Sequence, residues 1–343
     1  MARLPWVSEP RPIIHPPSPC FRLVSEADDG SFRPSTTVTG SGRGVGAAII
    51  EKLAAHGASV VINYIQSSCA AEEVARKARS LGVRAIIVKA DAARRDGIAH
   101  LFRVARAELG RIDIVMSSAS TEHFSAGPGA TGNQEETTEE DIDRVLAVNV
   151  KAQLMVAQQA HKYLEDGGRL IMISSVSAVT VSSAAAAPTT TNTTTIPPSP
   201  APWLLKKFWH WHWLLRHWLT QQGREKGVPN HALYAASKSA VMGMTRSLAH
   251  DFGARGITVN CIAPGDTGAD ACATADEDAR LYEPGADGET TLQQIDAANP
   301  MTSPLGIPTF PDDVAGVVAL LCAPEAKWIT GQTIRVPGGA QAT

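Results

Sequence analysis

The feature that most constrains the fold is a regular alternation between short, mostly apolar segments and longer amphipathic segments. The short segments are rich in Val and Ile, which predicts buried strands, and the segments between them have the apolar spacing of helices. Strands that are apolar on both faces are typical of a parallel sheet covered by helices on either side. We therefore predict an α/β fold with one doubly wound parallel sheet of about seven strands. The predicted strands are residues 33–38, 57–64, 84–91, 112–116, 168–175, 256–263 and 332–336.

A glycine-rich turn, Thr39-Gly-Ser-Gly-Arg-Gly-Val-Gly46, follows the first predicted strand and leads directly into a helix. Glycine lets the backbone approach a phosphate, and the free N–H groups of a helix N-terminus favour an anion. The next strand completes a β-turn-α-β unit, which is the context of a Rossmann-type dinucleotide site. The strand before the turn, Arg33–Val38, is short and polar, whereas a buried first strand is expected to be apolar. The residues of the turn that we predict to contact a dinucleotide are Gly40, Arg43, Gly44, Val45 and Gly46.

The composition indicates a globular protein of a reducing compartment. With 343 residues, 44% hydrophobic and 19% charged, the chain can bury a large core. The net charge of -3 gives no electrostatic reason to bind nucleic acid or an anionic membrane. The five cysteines are scattered without a C-x-x-C pair, which argues against a disulfide framework or a zinc site. Because no apolar run is long enough to cross a membrane, we expect a soluble, cytoplasmic protein with neither a nucleic-acid nor a membrane partner.

Two segments interrupt the alternation. Residues 1–34 are rich in Pro and polar residues and are predicted to be a disordered extension, which leaves residues 35–343 as one domain. Residues 181–226 hold an Ala/Thr/Pro/Ser tract and then a run with five of the seven tryptophans. A membrane-surface helix would suit the Trp, Leu, Lys and Arg of this run, and a metal site at His210 and His212 is discounted because side chains two residues apart diverge on a helix.

We favour a third interpretation of residues 181–226, which is that they are an intron translated in frame. Sequencing reverse-transcribed message across the segment tests this interpretation. Transcripts that uniformly retain the segment would contradict it.

Tyr234 and Lys238 are four residues apart, so on a helix their side chains lie one turn apart on the same face. A phenol has an unperturbed pKa of about 10, and a neighbouring ammonium lowers that pKa because it stabilises the phenolate. The pair can therefore provide a general acid that works near neutral pH. The same spacing also arises by chance on amphipathic helices, where the tyrosine only borders the core, so a catalytic interpretation needs further motifs.

Six motifs follow one another in the order and spacing of a single enzyme family. They are Thr39-Gly-x-x-x-Gly-x-Gly46, Asp91 after the third strand, Asn149 in a long helix over 138–164, Ser175 at a strand end, Tyr234-x-x-x-Lys238, and Pro264-Gly265. From about residue 36 to the C-terminus the chain resembles the short-chain dehydrogenase/reductase family. Within it, runs such as Gly57-Ala-Ser-Val-Val-Ile-Asn-Tyr64 and Trp328-Ile-Thr-Gly-Gln332 resemble the fungal polyhydroxynaphthalene and versicolorin reductases.

The resemblance implies a role for each catalytic residue. Tyr234 would donate a proton to a substrate carbonyl oxygen while hydride arrives from a nicotinamide. Lys238 would lower the pKa of Tyr234 and hydrogen-bond the nicotinamide ribose. Ser175 would orient the carbonyl, and Asn149 would hold a water that relays protons to Lys238. Because Ser175 and Tyr234 are 59 residues apart, where the family has a short loop, we expect residues 181–226 to loop out or to be absent from the real protein.

The residues after the second strand favour NADP(H) as the cofactor. An acidic residue there would bind the adenosine 2′-hydroxyl and repel a 2′-phosphate, but this chain has Asn63 and Tyr64, with Ser67 just beyond. Arg43 in the glycine turn can pair with a phosphate through its planar guanidinium, although a solvated loop arginine is the alternative. By the family pattern, the other cofactor contacts are Asp91, Ala92, Ser118, Pro264, Gly265 and Thr267, besides Tyr234 and Lys238.

Two stretches depart from the family pattern. The family's Asn-Asn-Ala-Gly after the fourth strand is Ser117-Ser-Ala-Ser120, and the side chain of Ser120 would crowd the cofactor. After Pro264-Gly265 the usual β-branched apolar residue is missing, and Thr267 would serve through its backbone.

The resemblance also implies the reaction, which is NADPH-dependent reduction of an aromatic polyketide ketone of hydroxynaphthalene or anthraquinone type. Residues 266–305 would form the substrate loop, and Tyr282 would stack on the substrate ring held by Ser175 and Tyr234, a contact worth ~1 kcal/mol. A tyrosine at the solvent edge is the alternative. Reduction of another carbonyl, such as a 3-oxoacyl thioester, and a non-catalytic product that keeps the fold remain open. A homotetramer built on the Asn149 and Tyr234 helices is expected by family analogy.

Overall fold

The computed structural model describes residues 34–121, 137–178, 232–265 and 309–338. Its strands are β1 (Ser35–Thr39), β2 (Ser59–Tyr64), β3 (Ala85–Lys89), β4 (Ile114–Ser117), β5 (Arg169–Ile173), β6 (Thr258–Pro264) and β7 (Thr333–Val336). All seven are parallel and form one sheet in the order β3-β2-β1-β4-β5-β6-β7. Helices cover both faces, so the predicted doubly wound α/β fold is confirmed.

The helices follow the predicted alternation, with one irregularity. They are α1 (Gly44–Ala55), α2 (Ser68–Ser80), α3 (Arg95–Leu109), α4 (Glu139–Leu146), α5 (Ala152–Tyr163), α6 (Ala232–Gly253) and α7 (Pro311–Cys322). The helix predicted over 138–164 is continuous, but a π-helical turn at Ala147–Lys151 joins α4 to α5. Such turns are frequent at functional sites, and this one carries Asn149.

Two apolar clusters, one on each face of the sheet, hold the helices in place. On one face α1, α2 and α7 are anchored by buried residues such as Ile50 and Val318. On the other face α3, α5 and α6 are anchored by residues such as Phe102, Val156 and Phe252. Because all strands are parallel, their carboxyl ends lie along one edge of the sheet, where the loops into the helices gather.

β1 forms although its sequence is polar. It lies between β2 and β4 in the middle of the sheet, and all five of its residues are buried. The backbone N–H of Ser35 donates to Oδ2 of Asp113 (2.8 Å), and its hydroxyl donates to the carbonyl of Arg111 (2.6 Å). Asp113 is 1% exposed and is paired with the Arg111 guanidinium at 2.5 Å. Ladder hydrogen bonds and this polar anchor therefore hold a strand whose one apolar residue is Val38.

Thr36 and Thr37 are buried in β1, and their hydroxyl groups have no hydrogen-bond partner within the described residues. Replacing either with valine, which has nearly the same shape, is expected to raise the free energy of unfolding by about 1–3 kcal/mol, since an unpaired buried hydroxyl is removed. Chemical denaturation measures the change. Thr39→Val is the matched control and should lower stability, because Oγ1 of Thr39 accepts from the backbone N–H groups of Ser118 (3.0 Å) and Ala119 (3.2 Å). Lower stability of both Thr36→Val and Thr37→Val would contradict the prediction.

Several predictions concern residues outside the described ranges. The extension over 1–34 falls there except for its last residue, and the segments 181–226 and 266–305 fall there entirely. The substrate loop includes two predicted site residues, Thr267 and Tyr282, so their roles stay predictions. Among the helices that the structure describes, none is long and apolar enough to span a membrane.

Candidate active site

The carboxyl ends of β1 and β4 border a crevice where the winding direction of the sheet reverses. From β1 the chain winds outward through β2 to β3, and it then returns to the other side of β1 with β4. In open α/β sheets, ligands bind at such a switch point. The glycine turn after β1 and the loop after β4 meet there, since Gly40 lies against Ala119.

The glycine turn has no room for side chains at two positions. Gly40 has a φ of 62°, in the left-handed region, and a Cβ on it would lie 2.8 Å from Cα of Ala119. A Cβ on Gly46 would lie 2.5 Å from the carbonyl oxygen of Gly40. Gly44 is the first residue of α1, whose first turn contains no acidic residue. Because the first N–H groups of a helix have no partner within the helix itself, this helix start favours an anion at the crevice.

Asn63 supports the glycine turn from within the protein. The residue is 1% exposed; its Oδ1 accepts from the N–H of Gly40 (3.1 Å), and its Nδ2 donates to the carbonyls of Val88 (3.3 Å) and Ala90 (2.8 Å). Both amide protons of Asn63 are thus engaged by buried carbonyl groups, and a direct contact between this side chain and a cofactor stays a prediction. Asn63 ties the glycine turn to the carbonyl groups at the end of β3.

The other predicted cofactor residues within the described ranges surround the same edge. Tyr64 is half-buried at the end of β2, and Ser67 is the exposed N-cap residue of α2. Asp91 is half-buried and accepts from the N–H of Ala93 (2.8 Å). Arg43 is exposed at the N-cap of α1, and Val45 is half-buried in the first turn of that helix. Ala92 and Ser118 are buried after β3 and β4, respectively. Pro264 ends β6, and Gly265 follows it. Ser120, the departure from the family's glycine, is exposed.

Tyr234 and Lys238 form a buried pair at the start of α6. Tyr234 is 8% exposed and Lys238 is 1% exposed. Nζ of Lys238 lies 5.5 Å from the centroid of the Tyr234 ring. The phenol and the ammonium are thus held together in a site from which water is largely excluded. Tyr234 and Lys238, which are four residues apart in the sequence, thus form a buried pair suited to proton transfer.

The end of β5 contacts α6 directly, although 59 residues separate Ser175 from Tyr234 in the sequence. The hydroxyl of Ser174 donates to the carbonyl of Lys238 (2.8 Å), and the hydroxyl of Ser239 donates to the carbonyl of Ala178 (3.3 Å). Ser175 lies between these two contacts and is partly exposed. The structure therefore brings the strand-end serine to the helix that carries the tyrosine and the lysine.

Asn149 is fully buried in the π-helical turn and links two parts of the site. Its Oδ1 accepts from the N–H of Thr121 (2.8 Å), and its Nδ2 donates to the carbonyl of Thr121 (2.8 Å) and to Oγ of Ser237 (3.0 Å). The side chain thus connects the loop after β4 to α6. The water-binding role that the resemblance implies for Asn149 stays a prediction.

Sequence reasoning missed three side chains that hold the site together, namely Thr39, Ser174 and Ser237. Two of them directly precede predicted catalytic residues, Ser174 before Ser175 and Ser237 before Lys238. Their positions next to the motifs were the available signal. A short hydroxyl side chain has too many structural uses, however, for its role to be read from the sequence.

Two buried thiols of the described residues, of which Cys261 lies near the site, are poorly suited to chemistry. Burial raises the pKa of the Cys261 thiol to about 11, an effect that the nearby Lys238 ammonium partly offsets. Burial also raises the pKa of the Cys322 thiol to about 12. Both thiols are therefore protonated near neutral pH and are neither nucleophiles nor metal ligands. In the ranges that the structure describes, no cluster of three His, Cys, Asp or Glu side chains could hold a metal ion.

Two family models match the chain. A model described as short chain dehydrogenase matches residues 35–190, and one described as enoyl-(acyl carrier protein) reductase matches residues 218–341. The residues between the two matches, 191–217, fall within the segment 181–226.

Several known proteins are similar in sequence to this chain along most of their length. A hydroxynaphthalene reductase-like protein of Metarhizium brunneum is 37% identical over 303 residues, covering 88% of this chain and 93% of that protein. A hydroxynaphthalene reductase of Aspergillus fumigatus is 35% identical over 300 residues, covering 88% and 89%.

Among solved structures, an angucycline C-6 ketoreductase with bound NADP has a TM-score of 0.63 and 29% identity, covering 90% of this chain and 96% of that one. A short chain dehydrogenase of Burkholderia cenocepacia in complex with NADP has a TM-score of 0.62 and 29% identity, covering 90% and 98%. Sequence, fold and site geometry therefore agree that the chain belongs to the short-chain dehydrogenase/reductase family.

Proposed function

We propose that this protein is an NADPH-dependent ketoreductase that reduces a carbonyl group of an aromatic polyketide of hydroxynaphthalene or anthraquinone type. The observation that carries the proposal is the buried Tyr234–Lys238 pair, whose helix is bonded both to the end of β5 and, through Asn149, to the loop beside the glycine turn. Proton donor and nucleotide cradle thus occupy one edge of the sheet.

The glycine turn fits a dinucleotide, because the space beside Gly40 and Gly46 is closed to side chains and backbone N–H groups border it. The cofactor supplies hydride. Tyr234 donates its phenolic proton to the carbonyl oxygen, and the Lys238 ammonium stabilises the phenolate that remains. Ser175 orients the carbonyl through a hydrogen bond. The negative charge that develops on the substrate carbonyl oxygen thus lies next to two hydrogen-bond donors, Tyr234 and Ser175.

The preference for the phosphorylated cofactor rests on charge. Arg43, exposed at the start of α1, would pair with a 2′-phosphate, and Tyr64 and Ser67 would offer neutral groups where a carboxylate would repel it. Asp91 and Ala92 border the adenine side. The two solved relatives with bound NADP support this choice.

Asn63 and Ser67 allow the cofactor preference to be tested. Ser67→Asp puts a carboxylate at an exposed position after β2 and is expected to weaken binding of NADPH about tenfold or more relative to NADH, because like charges repel. Asn63→Asp is expected to lower the free energy of unfolding by about 1–3 kcal/mol and to weaken both cofactors, because a buried carboxylate would face the carbonyls of Val88 and Ala90. Fluorescence titration and denaturation measure these changes. A switch to NADH in Asn63→Asp would contradict the assignment of this residue.

The substrate class follows from the relatives and from the predicted loop. The hydroxynaphthalene reductases and the angucycline ketoreductase bear names of fused-ring aromatic substrates, and Tyr282 in the segment 266–305 would stack on such a ring. We also propose a cytoplasmic homo-oligomer, a tetramer by family analogy, that packs through the helices of Asn149 and Tyr234. Exposed apolar residues on α4 and α5, such as Ile142, Leu146 and Leu154, support this packing.

Oxidation of NADPH, followed by absorbance, tests the proposed activity. A hydroxynaphthalenone, an anthraquinone and a 3-oxoacyl thioester are compared as substrates, each with the full chain and with a variant that lacks residues 181–226. Turnover of the aromatic ketones supports the proposal, and turnover of the thioester alone would replace it by that reaction. NADPH binding without turnover of any ketone by either protein would show a non-catalytic member of the family.

A further inference from the structure

Ser237 makes two buried hydrogen bonds that no motif accounts for. The residue is fully buried and directly precedes Lys238 in α6. Its hydroxyl accepts from Nδ2 of Asn149 (3.0 Å) and donates to the carbonyl of Tyr234 (2.7 Å). Since serine has a single hydroxyl proton, the bond to Tyr234 sets the orientation of the hydroxyl and turns its lone pairs toward Asn149.

Asn149 is held equally firmly on its other side. Its oxygen and its second amide proton both bond to the backbone of Thr121, each at 2.8 Å. Thr121 follows β4, two residues after Ala119, which lies against Gly40. A continuous chain of hydrogen bonds therefore runs from the loop beside the glycine turn, through Asn149 and Ser237, to the backbone of Tyr234.

Tyr234 needs such support because of its place in the helix. It is the third residue of α6, which begins at Ala232, and the first turn of a helix is where the backbone frays. One turn further on, the carbonyl of Lys238 is held by Ser174. The two ends of the Tyr234–Lys238 turn are thus fixed by different serines, and loosening the first end alone would change the distance between phenol and ammonium.

We propose that Ser237 is a positioning residue that keeps the Tyr234 phenol close to the Lys238 ammonium by tying the Tyr234 carbonyl to Asn149. In Ser237→Ala, the Asn149 amide loses an acceptor and the Tyr234 carbonyl loses a donor, so the first turn of α6 loosens. The ammonium then stabilises the phenolate less. The inference rests on the proposed function only for its effect on turnover.

Titration of the phenol by ultraviolet absorbance tests the proposal in the full-length protein without substrate. The Tyr234 contribution is the difference between each protein and the same protein with Tyr234→Phe. Because weaker stabilisation of the phenolate raises the pKa of Tyr234, its titration is expected about one pH unit higher in Ser237→Ala than in the wild type. In steady-state assays kcat for ketone reduction is expected to fall about tenfold, with the KM for NADPH little changed. Ser237→Thr, which keeps the hydroxyl, should restore most of the wild-type titration of the phenol and most of the wild-type kcat.

Thr245→Val is the matched control. Thr245 is also fully buried in α6, and its hydroxyl donates to the carbonyl of Val241 (2.8 Å) and contacts Sδ of Met172 (3.6 Å). Both variants should lose stability, but only Ser237→Ala should shift the titration of the phenol. An unshifted titration, or an equal shift in Thr245→Val, would overturn the proposal.

If Ser237→Ala does not fold, Ser237→Cys takes its place, because a thiol is a weaker donor and acceptor of similar shape. An upward shift of the phenol titration in Ser237→Cys supports the proposal, and an unshifted titration overturns it. Since the titration needs no ketone, its result is separate from the proposed function, which fails if the wild type reduces none of the tested ketones.

Discussion

Replacing Tyr234 with phenylalanine is expected to lower kcat for ketone reduction by about two to four orders of magnitude, which is the usual contribution of a general acid. Phenylalanine keeps the buried ring next to Lys238 but removes the only proton that the ring can donate. Binding of NADPH depends on the glycine turn and should change little. Steady-state kinetics and fluorescence titration of the cofactor measure the two effects separately.

Tyr163→Phe is the control for the loss of a phenol group. Tyr163 is half-buried at the end of α5, where its ring contacts Phe102 with a centroid distance of 6.0 Å. This variant should retain wild-type kcat. Comparable turnover by Tyr234→Phe and Tyr163→Phe would remove Tyr234 from the reaction.

Gly46→Ala is expected to weaken binding of NADPH roughly 10–100-fold, which corresponds to the 1–3 kcal/mol typical of an overpacked site. The added Cβ would lie 2.5 Å from the carbonyl oxygen of Gly40 and 2.9 Å from Cα of Ser41, so the backbone of the turn must move. The moved turn no longer presents its N–H groups to the pyrophosphate in the same geometry. Cofactor titration and thermal unfolding of the apoprotein measure the loss of affinity and of stability.

Gly316→Ala is the matched control, because Gly316 also lies inside a helix, α7, which packs against α1. Apart from the neighbouring backbone of its own helix, no atom of the described residues lies within 4 Å of a Cβ built at this position. Alanine there should raise the free energy of unfolding by about 0.5–1 kcal/mol, since it restricts the unfolded chain and favours the helix. Similar losses of affinity in the two variants would show that the close approach at Gly46 is not what the cofactor site requires.

The strand-helix alternation was predictable because each element is encoded by local periodicity. The seven predicted strands all form, and α7 covers the segment predicted near Pro311 to Cys322. Asn63 shows the limit of this reasoning. Its place at the end of β2 was predictable, but whether its amide faces a cofactor or the carbonyls of Val88 and Ala90 depends on how closely β3 and the turn approach.

The sequence by itself determined the doubly wound sheet, the glycine turn and the helical pairing of Tyr234 with Lys238, because short-range spacing specifies each of them. Only the tertiary structure decided that polar β1 lies in the centre of the sheet and that the end of β5 contacts α6, although 59 residues separate Ser175 from Tyr234. It also decided that the Ser237 hydroxyl accepts a hydrogen bond from the Asn149 amide. These features depend on hydrogen bonds between residues far apart in the chain. Such bonds exist only after the sheet has brought the carboxyl ends of its strands together.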